Sequence, residues 1–156
     1  MLLAEALALR ADQQKKLKAL DARIEDNARV PEGQRADEDP VELLKTAAAV
    51  AGELAVLVER INRTNAATVA KPDTTATISD LIARRDHAQR MTQLYRGAAK
   101  AGTRAGRGWL GRTGESPTAA AVDVPALQGE ADAWAVRYRE LDVRLQQLNW
   151  ATELAE

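Results

Sequence analysis

Apolar residues recur along the chain at spacings of three and four, the spacing of helices that bury one face. Leu3, Leu7, Leu17, Leu20 and Ile24 predict a first helix over about 2–29, with a polar middle at Arg10, Asp12, Gln13 and Gln14. Val30-Pro31-Glu32-Gly33 ends it. Asp39-Pro40 then gives a side-chain cap and a first-turn proline for a second helix over about 40–64. Its apolar face runs Ala47, Val50, Leu54, Leu57, Ile61, with Ala48, Ala51, Ala55 and Val58 beside it. That face is too wide for one seam, so this helix should meet neighbours on two sides. A third helix over about 78–101 starts at Thr77-Ile78-Ser79-Asp80, a capping box with Asp in place of Glu. Leu81, Ala88, Met91, Tyr95, Ala98 and Ala99 share one of its sides.

The fourth helix, about 124–148, carries the clearest signal. Val124, Leu127, Ala131, Trp134, Tyr138, Leu141, Leu145 and Leu148 alternate steps of three and four without a break, a heptad seam. Asp123 caps it and Pro125 stands in its first turn. The expected fold is therefore all-α: an antiparallel four-helix bundle or coiled coil, a single helical domain over 1–156. A short β-hairpin fits between helices 3 and 4, within the Gly/Arg-rich loop 102–122, with strands near Arg107–Arg112 and Thr118–Val122.

Composition narrows the chemistry. Aromatics are only 3% with no Phe, so Ala and Leu must do the packing. Zero cysteines exclude disulfides and thiolate sites, and a single histidine, His87, gives no His-rich metal centre and no Glu-x-x-His pair. Gly-Thr-Arg-Ala-Gly-Arg-Gly at 102–108 follows no strand and lacks the Lys-Ser/Thr ending of a phosphate loop. No catalytic residues, metal or cofactor are expected, and the chain reads as a non-enzyme. The start, Met1 to Arg10, lacks a basic n-region, and Glu5 interrupts its apolar run. With no stretch suited to span a bilayer, a cytoplasmic location is expected.

Three groups of residues stand out. From Leu81 to Gly114 eight Arg/Lys face one acid, Asp86, against an overall net charge of −1, so charge is concentrated locally. Arg85, Arg90, Arg96, Lys100 and Arg104 share a helix face, and Arg107 and Arg112 flank Trp109 in the loop. Arginine, glycine and an aromatic suit phosphate neutralisation with base stacking; equally, the face can be solvated or pair with acids such as Asp123, Glu130 and Asp132. Second, up-down-up-down topology gathers Asn62, Thr64, Asn65, Asn149, Trp150, Thr152 and Glu153 at one end, where Trp150 would anchor assembly. Third, Arg10, Asp12, Arg84, Arg85, Asp86 and Asp142 lie at similar heights, about two turns from that end, and predict a buried polar layer that fixes register.

Arg10-Ala11-Asp12-x-Gln14-Lys15-Lys16, Glu38-Asp39-Pro40, Ile61-Asn62-Arg63-Thr64-Asn65, Arg85-Asp86, Val122-Asp123-Val124 and Asn149-Trp150-x-Thr152-Glu153-Leu154 resemble the septicolysin-like family of small bacterial helical proteins of unknown function. The resemblance implies a helical protein without a known activity. Its label suggests a cytolysin-type toxin, which the residues disfavour: no apolar hairpin or helix is present that would insert. The leading expectation is a non-catalytic helical protein that associates with itself. The alternative is a bundle binding nucleic acid or another polyanion through helix 3 and the Gly/Arg loop. No membrane partner is expected.

Overall fold

The structure is a computed structural model that describes residues 1–71, 75–104 and 119–156. Four helices follow one another: α1 Leu3–Asn27, α2 Pro40–Ala67, α3 Ile78–Arg104 and α4 Val124–Ala151. The all-α bundle is as the heptad spacing predicts. The start signals also hold. Asp39 accepts from Val41 N–H at 2.8 Å and Asp123 from Ala126 N–H at 3.0 Å. Thr77 and Asp80 cap each other reciprocally: Thr77 N–H donates to Asp80 at 2.8 Å, and Asp80 N–H to Thr77 Oγ1 at 3.2 Å. The expected hairpin lies almost wholly outside the described residues; 119–122, which are described, form no strand.

Packing is uneven. α3 lies closely along α4, and α1 along α2, whereas α1 with α4 and α2 with α3 touch little. Among the described residues, the core that draws on all four helices gathers at the shared end: Leu3 and Ala6 of α1, Leu57 and Ile61 of α2, Ile78 and Leu81 of α3, Leu145 of α4, and Leu154 of the tail. A separate cluster, Leu20, Leu43 and Val50, joins only α1 and α2. Further along α3 and α4 the buried residues are small: Ala88, Thr92 and Ala99 against Ala131 and Ala135. Small side chains let two helices approach closely, toward the short end of the usual 8–10 Å or so. The molecule is thus two antiparallel hairpins fastened together at one end.

The fastening is largely backbone. Leu3 N–H donates to the Thr152 carbonyl at 2.8 Å, and Leu154 N–H to that of Met1 at 2.9 Å. The tail carbonyl of Ala155 accepts from Arg60 Nε at 2.8 Å, and its N–H donates to Thr64 Oγ1 at 3.0 Å. On the other side Arg144 donates to the carbonyl of Ala70 at 2.8 Å, tying α4 to the turn between α2 and α3.

Candidate functional site

The polar end is therefore an intramolecular clasp. Thr64, Thr152 and Glu153 are used within it, Glu153 through a backbone bridge to Leu2. Asn65 and Asn149 are half-buried and Asn62 is exposed. Trp150 stands outside the clasp, 63% exposed, and shares a seven-residue spacing with exposed Val136 and Val143 on the outer side of α4.

The polar layer is corrected by the structure. Arg85 pairs with Asp86 at 2.8 Å and lies 3.7 Å from Asp142, all three partly buried in the α3/α4 groove. Asp12 is instead exposed and pairs with Lys15 at 3.6 Å along its own helix. Arg84 is exposed as well. Arg10 is half-buried, with its Nε buried and without a hydrogen-bond partner, as is Oε1 of Gln13. Arg85, Asp86 and Asp142 come together, but Asp12 and Arg84 are exposed, so the six residues do not form one buried layer. No layer crosses the bundle.

On one side of the α3/α4 groove, Ala83, Arg84, His87, Trp134, Arg137 and Leu141 line an apolar hollow of about 370 Å³. His87 meets Trp134 edge-on, ring centres 5.3 Å apart, and Arg137 stacks 4.6 Å above the same indole. His87 is thus a packing partner of Trp134. Elsewhere along the groove, Gln89, Gln93 and Arg96 of α3 face Ala135, Tyr138 and Arg139 of α4 around about 340 Å³ of space. Of the basic face, Arg85 is neutralised by its acids, while Arg90, Arg96 and Lys100 are exposed. Arg107, Trp109 and Arg112 lie outside the described residues, as does the Arg104 side chain. Sequence reasoning missed Arg139 and Tyr138 as neighbours of Arg96, because each reads as an ordinary position on or beside the α4 seam.

Capping and surface contacts move the titration of Asp80, Glu38 and Arg23. The Thr77 backbone N–H, then its hydroxyl, hold the Asp80 carboxyl below its ordinary value. A hydrogen bond from Arg23 does the same for Glu38, and Arg23 is raised in return. Among the described residues no cluster of His, Asp and Glu is arranged to hold a metal ion. No described helix is long and apolar enough to cross a membrane.

Residues 10–154 match the model of a family of unknown function (DUF6847), and the chain belongs to that family. A crystal structure of a functionally unknown conserved protein from Corynebacterium diphtheriae is similar to the whole molecule, with a TM-score of 0.90, 35% sequence identity and 99% of each chain covered. No curated protein matches. These findings overturn the resemblance to septicolysin-like proteins, and with it the cytolysin label: neither the family nor the structural relative carries such a name.

Proposed function

We propose that this protein is a self-associating, non-catalytic interaction module whose α2 helix packs against α2 of a second copy. The observation that carries the reading is the uncovered second seam of α2. Leu44, Ala48, Ala51, Ala55 and Val58 step by four, three, four and three, yet Leu44 is 58% exposed and all three alanines are exposed. α1 covers only the neighbouring seam, through Leu43, Ala47 and Val50.

Light scattering on an eluting column tests this. The expected mass is twice the 16.9 kDa of one chain, and Ala51→Glu should return it to one chain with helicity intact. A single-chain mass at micromolar concentration and above would overturn the reading. The second reading, a polyanion-binding bundle, draws on exposed Arg90, Arg96 and Lys100; it is weakened by the neutralisation of Arg85. Its mark would be oligonucleotide binding that falls steeply with salt.

A further inference from the structure

Arg96 and Arg139 come from different helices and line one groove, and no carboxylate lines it with them. Neither guanidinium has an ion-pair or hydrogen-bond partner among the described residues. The contrast with Arg85 is direct: in the same pair of helices, that guanidinium is met by both Asp86 and Asp142. Ala135, only 8% exposed, lines the groove with both arginines, and its small side chain takes little of the space. Tyr138 and the amides of Gln89 and Gln93 complete the wall with neutral donors. Thr92 contributes little, because its hydroxyl already donates to the Ala88 carbonyl at 2.9 Å. The volume, about 340 Å³, sits at the small end of ligand sites, roughly 300–1,000 Å³.

We propose that this α3/α4 groove is a binding site for a phosphomonoester, held between the Arg96 and Arg139 guanidiniums. One arginine fork satisfies a carboxylate, which has two oxygens. Two arginines from separate helices lining one groove, with a tyrosine and two glutamines beside them, suit a tetrahedral dianion with three free oxygens. A phosphodiester link of a nucleic acid carries one charge and two free oxygens, and uses less of this arrangement. The site is independent of the proposed α2 contact, and its occupancy should leave the molecular mass unchanged.

Titration of the full chain, followed by backbone amide shifts, tests the assignment. The probes are inorganic phosphate, phenyl phosphate, dimethyl phosphate and acetate, above the second pKa of a phosphomonoester, about 6. Inorganic phosphate and phenyl phosphate should saturate, with shifts centred on 89–96 and 135–139. Dimethyl phosphate and acetate should bind at least about tenfold more weakly. Arg96→Ala and Arg139→Ala should each weaken phenyl phosphate by about tenfold or more; Arg90→Ala, an equal loss of charge outside the groove, should change it little. Four results would overturn the proposal: no saturation by either phosphate; equal binding of acetate; equal binding of dimethyl phosphate, which would favour the polyanion reading; or an Arg90→Ala loss matching that of Arg96→Ala, which would mean a diffuse field instead of a site.

Discussion

Two glycines of α3 should respond to the same substitution with opposite signs. An alanine methyl at Gly97 would meet nothing within 4 Å. Gly97→Ala should therefore stabilise by about 0.5–1 kcal/mol, the cost of glycine in a helix interior. At Gly102 the added methyl would come within 2.7 Å of Val124 Cγ2 and 2.9 Å of Val122 Cγ2. Both neighbours are β-branched and stiff at χ1, so they cannot swing aside cheaply. Overpacking of this kind costs about 1–3 kcal/mol, which offsets or exceeds the same propensity gain. The two variants should differ by about 1–3 kcal/mol, or roughly 2–12 °C in midpoint for a chain of this size. Thermal melts followed by far-UV circular dichroism read the difference. If Gly102→Ala gains as much as Gly97→Ala, the start of α4 does not press on α3 as described, and the close Ala-lined packing of this hairpin is wrong.

Leu145 is 2% exposed in the one core shared by all four helices. Leu145→Asp should abolish cooperative folding, since an unpaired buried charge adds to a lost packing term of about 2–5 kcal/mol; a native melting curve would refute the role of that core. Acid should also weaken the fold through Asp80 and Glu38. Their folded pKa values lie below the ordinary ones, 3.8 and 4.5, so their contribution is complete above those values and is lost as pH falls through the lower folded ones. Asp80→Asn should flatten the drop in denaturant stability between neutral pH and about pH 3 relative to the parent chain, and an unchanged slope would show that the Thr77 cap does not act through charge.

The sequence located every helix but misjudged where several stop. Asn62-Arg63-Thr64-Asn65 looks like a fading helix end. Thr64 turns its hydroxyl back onto the Arg60 carbonyl at 2.8 Å, and α2 runs on to Ala67. Gly102 reads as a breaker, yet α3 continues to Arg104, and the glycine answers a close approach by Val122 and Val124. The candidate sites were less legible for a related reason. Heptad spacing fixes where a residue sits on its own helix, but not how two hairpins stand relative to each other. Arg85 and Asp142 lie in one hairpin and do come together; Arg10, Asp12 and Arg84 required both hairpins to close side by side, and they do not meet. The groove at Arg96 escaped notice because its partner, Arg139, belongs to a helix whose seam drew attention to Trp134 and Leu141 instead.

That failure to close has its own cause in composition. The α3/α4 interface is built on Ala88, Ala99, Ala131 and Ala135, while α1 and α2 meet through Leu20, Leu43 and Val50. Interaxial distance follows the bulk of the side chains at the contact. Large buried residues from all four helices, Leu3, Ile61, Ile78 and Leu145, meet at the shared end. Beyond that end α2 keeps Leu44, Ala48, Ala51 and Ala55 exposed, with no described helix covering them. A helix patterned for two neighbours keeps one face exposed beyond the shared end, and the proposed second copy, whose α2 carries the same alanines at the same spacing, would cover it.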